Sequence, residues 1–205
     1  MKNIFNVPNF ISLFRLIFSP LMLPILIYYV LPYNSLLFNS LIAAVFVFLS
    51  FTDFFDGYFA RKFGLVTGVG KSLDHIADKF LTTSALISLL AVNKIFFYWV
   101  IILVGRNLFM MGIRLVSVEK GFPLPVSLWG KINTLVQMIY LTFVIINPYQ
   151  NLGFKNPWNI IEILLLAIVL LLSIFSVKKY IDEFIIQYMM RSKVEGEEHD
   201  FPRQQ

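Results

Sequence analysis

The sequence predicts an all-α integral membrane protein with six transmembrane helices, and three observations carry that prediction. Of 205 residues, 58% are hydrophobic and only 14% are charged, whereas a soluble domain carries about 25% charged residues. Mean hydropathy is +0.76, more apolar side chain than one soluble core of this size can hide. The apolar residues gather into six runs separated by short breaks rich in Gly, Pro, Asn and Lys. The 22 Phe residues suit helices that face lipid.

Each run can be placed in order. Asn6 and Pro8 suit a helix start, as cap and first-turn residue. Phe10, Ile11, Phe14 and Ile17 then share one face at helical spacing. This pattern fits an N-terminal interfacial amphipathic helix, or equally a simple extension of span one. Span one ends near Leu31, with Pro20 and Pro24 as expected kinks. No small-residue cleavage site follows it, so the segment reads as an uncleaved helix rather than a signal peptide. Span two covers about 35–52 and continues as helix into 53–61. A loop with Gly64, Gly68 and Gly70 follows. Span three runs from about Lys71 to Val92, span four from Phe96 to Val118 and span five from Val126 to Ile146. Span six runs from Trp158 to Val177, with a helical extension to about Met190. The expected division is a membrane domain over 1–190 and a disordered, charged tail over 191–205.

Charge fixes the expected orientation. Lys2, Arg15, Arg61, Lys62, Lys71, Lys120, Lys178, Lys179, Arg191 and Lys193 would share one side, and only Lys94 and Lys155 the other. The positive-inside rule puts the first side, with both termini, in the cytoplasm. The net charge of +5 then serves orientation and anionic headgroups rather than nucleic acid. Absence of cysteine excludes disulfides, thiolate chemistry and cysteine-based zinc sites. His75 and His199 are too few and too far apart for a histidine metal cage.

The stretch Asp53 to Lys79 concentrates the chemistry. Asp53 and Asp56 are three apart, and Asp74 and Asp78 four apart, so each pair shares a helix face. The intervening loop is short, so the two helices should be antiparallel neighbours and the carboxylates can converge. Like charges at this spacing, next to hydrocarbon, need compensation. Oxygen ligands without nitrogen or sulfur suit Mg²⁺, Mn²⁺ or Ca²⁺. Four carboxylates have the capacity for two ions about 4 Å apart, the arrangement used in phosphoryl displacement. Gly57 and Ala60 leave room for a ligand near the backbone, and Arg61 offers a planar fork to phosphate. Together these features suggest a nucleotide diphosphate substrate.

Asp53-x-x-Asp56-Gly57-x-x-Ala60-Arg61, then Gly70, Asp74 and Asp78, resembles the complete signature of the CDP-alcohol phosphatidyltransferase family. The similarity covers most of the chain. Asn6-x-Pro8-Asn9 through Arg15 is similar to the start of the bacterial phosphatidylglycerophosphate synthase branch. The resemblance implies two divalent cations, Mg²⁺ or Mn²⁺, on Asp53, Asp56, Asp74 and Asp78. It implies Asp78 as general base, with Gly57, Ala60, Arg61 and Gly70 holding the CDP part of CDP-diacylglycerol. An alcohol would attack the β-phosphorus and CMP would leave. It also implies a homodimer and an inner-membrane location.

Acceptor choice should rest on the cations of spans four and five. Arg106 lies in an apolar stretch, Arg114 roughly two turns further on nearly the same face, and Lys131 follows Gly130. Convergent cations bind an anionic group such as phosphate; Arg106 alone would also fit snorkelling to the interface. By resemblance, Arg106, Arg114 and Lys131 bind the phosphate of glycerol 3-phosphate. Two positions depart from that branch, which usually has Glu at 107 and Lys at 133 where this chain has Asn107 and Asn133. Lys131-Ile132-Asn133-Thr134 with Gln137 looks more like cardiolipin synthases of the same family, which use phosphatidylglycerol. His75 could touch the site or remain a half-exposed helix residue. A membrane transporter or other ion-binding protein is the reading from a different class; the clustering of the acids at one surface speaks against it.

Overall fold

The computed structural model describes residues 7–62, 68–122, 124, 127–148 and 156–200. It describes side chains within 17–52, 76–122, 124, 127–148 and 156–191, residues 19 and 78 excepted. The regular elements are α1 (Val7–Val30), a 3₁₀ turn (Leu31–Tyr33), α2 (Leu36–Lys62), α3 (Gly68–Ala91), α4 (Phe97–Glu119), α5 (Leu128–Ile146) and α6 (Pro157–Asp200). No strand occurs among the described residues, as the apolar helical runs predict. Helix α4, helix α5 and the Pro157–Arg191 part of α6 are long and apolar enough to cross a membrane, at 23, 19 and 35 residues. Among the described residues, α1 to α3 contribute the shorter apolar stretches Pro20–Tyr33, Leu36–Thr52 and Lys79–Ala91.

The outer surface is made of large apolar side chains. Leu21, Ile25, Leu41, Phe48, Ile101, Leu108, Leu164, Leu171 and Phe175 all project outward. Water does not tolerate so extensive an apolar surface on a monomer, and lipid does. This is a membrane protein.

Helix α1 packs most extensively on α3 and also touches α2; α2 touches α5, and α5 lies along α6. Helix α4 is held by α6 and α3. Spacing explains the core. Leu23, Ile27 and Leu31 recur every four residues, as do Leu81, Ala85 and Leu89, so each set forms one helix face. They meet Ile42, Ala43 and Phe46 of α2 and Tyr140, Leu141, Val144 and Ile145 of α5. Between lipid-embedded helices, close packing rather than water exclusion drives association. The buried Ala43, Ala77 and Ala85 permit that close approach.

Turn chemistry is local. Asn34 and Asn93 take positive φ of 51° and 58°, a region Asn tolerates better than most side chains. They close the turns after the 3₁₀ segment and after α3. Gly121, with φ of 75°, ends α4, and a Cβ there would sit 2.8 Å from Arg191 Nη1.

One boundary left open by the sequence is decided, and two differ from expectation. Val7–Val30 is one uninterrupted helix through Pro20 and Pro24, so the interfacial segment and span one are a single element. Packing against α3 and α2 offsets the hydrogen bonds the prolines cannot make. Gly68 and Gly70 lie in the first turn of α3, where the amide groups need no intrahelical partner. Helix α6 continues to Asp200, past Met190, where the sequence suggests disorder. The extension is anchored: Arg191 Nη1 donates to the Gly121 carbonyl at 2.9 Å. The Phe122 ring also packs on Phe184 and Tyr188, at centroid distances of 5.5 and 6.4 Å. Once nucleated, a helix propagates through residues such as Lys193, Glu195 and Glu197 at little cost.

Candidate active site

The predicted catalytic stretch occupies two facing helix ends. Asp53, Asp56, Gly57, Ala60 and Arg61 fall in about the last three turns of α2, and Gly70, Asp74 and Asp78 in about the first three of α3. The two helices are in contact. The side chains of these residues, and of His75, lie outside the described set. The described side chains include no group of three or more His, Asp or Glu suited to a metal, and those of the four aspartates are not among them.

The next turn of α3 reaches α5. Lys79, adjacent to Asp78, brings Nζ within 3.5 Å of Thr134 Oγ1. Thr134 in turn donates to the Gly130 carbonyl at 3.1 Å. Ser127 caps α5, its side chain accepting from the Gly130 amide at 3.1 Å. The aspartate end of α3 therefore abuts the first turns of α5, which carry Lys131. The Lys131 side chain is exposed, and no described contact joins it to the two arginines.

Arg106 and Arg114 meet on α6. Arg106 Nη2 donates to Ser176 Oγ at 2.7 Å, and Nη1 donates to Asn107 Oδ1 at 3.1 Å. Arg114 Nε donates to the Tyr180 hydroxyl at 3.4 Å. Ser176 and Tyr180 are four residues apart, one helical turn, so α6 presents both arginines on one face. Both are half-buried. One turn before Ser176, Ser173 Oγ donates to Asn133 Oδ1 at 3.2 Å. Asn107, Asn133 and Gln137 are 2%, 0% and 1% exposed. Among the described residues, the buried donors Arg106 Nε, Asn107 Nδ2, Asn133 Nδ2 and Gln137 Nε2 have no partner. Four unmet donors in neighbouring turns of α4 and α5 leave this region short of acceptor oxygens.

A second buried polar cluster lies at the other end of the bundle. Lys94 Nζ donates to the Asn147 carbonyl. Asn147 Nδ2 donates to Glu162 Oε2 at 2.7 Å and to Asn159 Oδ1 at 3.2 Å. All four residues are 5% exposed or less. Burial pushes the Lys94 ammonium below the ordinary lysine range, and the Glu162 carboxylate pulls it partly back. The sequence reading missed this cluster. Its signal is an acid, Glu162, inside an otherwise apolar run.

Comparison with known proteins decides the class. Residues 5–176 match the family described as CDP-alcohol phosphatidyltransferase. The chain belongs to the CDP-alcohol phosphatidyltransferase family. It is 37% identical over 172 residues to a protein of Aquifex aeolicus, covering 80% of this chain and 90% of that one. It is 33% identical over 162 residues to a protein of Bacillus subtilis, covering 73% and 82% respectively. A protein of Haemophilus influenzae is 32% identical over 183 residues, covering 86% and 92%. Each of the three is named CDP-diacylglycerol–glycerol-3-phosphate 3-phosphatidyltransferase. This CDP-alcohol phosphatidyltransferase is thus an enzyme, which sets aside the transporter reading. The family is generally dependent on divalent cations.

Within that family frame, the tertiary contacts locate the two unusual asparagines. Asn107 holds the arginine that bonds Ser176, and Asn133 accepts from Ser173, one turn away on the same helix. Both departures therefore converge on α6. Ser173, Ser176 and Tyr180 were not identified from sequence, although small polar residues at helical spacing within an apolar run are a readable signal.

Proposed function

We propose that this chain transfers the phosphatidyl group of CDP-diacylglycerol to sn-glycerol 3-phosphate, yielding phosphatidylglycerophosphate and CMP in phospholipid biosynthesis. A glycerol hydroxyl oxygen forms a bond to the β-phosphorus. The bond from that phosphorus to the bridging oxygen of CMP breaks, and the hydroxyl proton passes to the Asp78 carboxylate. Asp53, Asp56, Asp74 and Asp78 would hold two Mg²⁺ or Mn²⁺ ions; a donor set made only of carboxylates on two contacting helix ends fits hard cations. Bound there, the ions would neutralise phosphate charge and acidify the hydroxyl. Gly57, Ala60, Arg61 and Gly70 hold the CDP part. Arg106, Arg114 and Lys131 take the acceptor phosphate.

The observation that carries the acceptor assignment is the pairing of Arg106 and Arg114 on one face of α6, their described hydrogen bonds going to Asn107, Ser176 and Tyr180. At Arg106 the described hydrogen bonds go to uncharged oxygens, and a guanidinium held that way in a low-dielectric bundle retains charge for an anion. The names of the three relatives point the same way. The arrangement further proposed is six spans, both termini and the aspartates on the cytoplasmic face of a bacterial inner membrane, and a homodimer.

An acceptor screen tests the reading. Purified protein with CDP-diacylglycerol and Mg²⁺ or Mn²⁺ is expected to release CMP on addition of glycerol 3-phosphate and not of phosphatidylglycerol. CMP release with phosphatidylglycerol alone would convert the assignment to cardiolipin synthesis. Silence with every acceptor in folded protein would remove the proposed reaction.

A further inference from the structure

We infer that α6 positions the Arg114 guanidinium for the acceptor phosphate, with Tyr180 as the residue that orients it and the helical extension to Arg191 as the brace that keeps Tyr180 in register. This rests on the phosphate-binding role proposed for Arg114. Arg114 Nε donates to the Tyr180 hydroxyl at 3.4 Å. Tyr180 is 1% exposed, so packing fixes the ring that carries that oxygen. A bond at Nε restrains rotation of the guanidinium plane, and bidentate recognition of phosphate depends on that plane. Without it, the long arginine stem would have more rotamer freedom to lose on binding.

The backbone of Arg114 is tied to the same helix by a second route. Ser117 Oγ donates to the Arg114 carbonyl at 2.8 Å, and the Phe122 amide donates to the Ser117 carbonyl at 3.0 Å. The Phe122 ring packs on Phe184 and Tyr188, which stack on each other at a centroid distance of 6.2 Å. Beside it, Arg191 Nη1 donates to the Gly121 carbonyl at 2.9 Å. Tyr180, Phe184, Tyr188 and Arg191 follow at steps of four, four and three residues, which places them on one face of α6. The path from Tyr180 through Arg114, Ser117 and Phe122 therefore returns to α6 and closes. Such a ring resists sliding of α4 along α6, because a shift disturbs packed contacts at both ends. The extension past the apolar run thus gains a role: it holds the end of α4 that carries Arg114. Tyr180 and Arg191 are positioning residues in this scheme, and Arg114 is the group that touches the acceptor.

Steady-state kinetics on the full chain, with melting followed in parallel, test the brace. Tyr180→Phe keeps the ring and removes the accepting oxygen. It is expected to raise KM for glycerol 3-phosphate roughly fivefold, the scale of immobilising one long side chain anew. KM for CDP-diacylglycerol should stay within about twofold. Arg191→Ala, at an exposed position, should raise the acceptor KM about threefold. An Arg114→Met background separates orientation from packing. There Tyr180→Phe should add less than about 1.5-fold, because no guanidinium remains to orient. A merely structural tyrosine would add the same factor in both backgrounds, and that result overturns the inference. Unchanged acceptor KM in Tyr180→Phe overturns it as well; if that variant does not fold, unchanged acceptor KM in Arg191→Ala does so instead. If Arg114→Met leaves the acceptor KM unchanged, the phosphate role proposed for Arg114 fails and takes this inference with it. An impaired Arg114→Met beside an unimpaired Tyr180→Phe overturns the inference alone. Should the wild-type enzyme prove to use another acceptor, the proposed reaction fails separately. Calorimetric titration with inorganic phosphate then decides the brace: weaker binding in Tyr180→Phe than in wild type supports it. Equal binding, or none by the wild type, overturns it.

Discussion

Among the described residues, two buried polar clusters of the bundle differ in one respect. At the far end, Lys94, Asn147, Asn159 and Glu162 bond one another, and none of the four leaves a buried side-chain atom without a partner. Nearer the aspartates, Arg106, Asn107, Asn133 and Gln137 leave four buried donors unmet. Leaving a buried donor unpaired costs about 1–3 kcal/mol, so a fold tolerates a group of them only where something else is gained. The far cluster closes on itself and ties the α3–α4 turn to α5 and α6. The near cluster is incomplete in one sense only, lacking acceptors. A closed network of this kind belongs to stability, and an open one of uniform sign fits the binding role proposed for it.

Mutations at the two ends should therefore separate turnover from stability. The largest effect is expected from Asp78→Asn, which removes the proposed base. Its kcat should fall about a thousandfold with little change in Tm, as read from CMP release and a melting curve; unchanged turnover would remove Asp78 from that role. Lys94→Met should do the reverse. Removing one partner of a buried, charge-coupled cluster costs about 3 kcal/mol, seen as a lower Tm, while turnover by the protein still folded at low temperature persists. The lowered pKa of Lys94 gives this comparison a pH signature. The unfolded chain holds the Lys94 proton more tightly than the folded one, so this group adds stability as pH rises toward 10.5. Wild-type Tm should gain on Lys94→Met across that rise, and a constant difference would contradict the assignment. The smallest effect belongs to Lys131→Gln. An exposed cation contributes about 0.2–1 kcal/mol, so acceptor KM should rise by less than about fivefold. An unchanged acceptor KM would remove Lys131 from the groups proposed to take the acceptor phosphate.

Much of the fold was legible because lipid imposes a simple rule. Every span must be helical and apolar, so Phe97–Glu119 and Leu128–Ile146 appear in the sequence within about two residues. The ends were less legible. The helix through Asp200 depends on Arg191 reaching Gly121, a partner 70 positions away, which no local pattern encodes. Among the residues proposed to bind the acceptor, Arg106 and Arg114 were readable as cations in an apolar run. Ser176 and Tyr180, the groups that bring them together, were not, because a serine or tyrosine in a span has no single meaning until its neighbour is known.

By itself the sequence determined the class, the membrane and the reaction family. Apolar runs dictate spanning helices, and the aspartate spacing with Gly57, Arg61 and Gly70 is local enough to be read within two helix ends. Tertiary structure decided which buried polar groups are satisfied. Asn147 and Asn133 look alike in sequence, yet one bonds both Asn159 and Glu162 while the other keeps a free amide beside α6. That distinction exists only once distant helices pack, because the cost of a buried polar group depends on what stands opposite it.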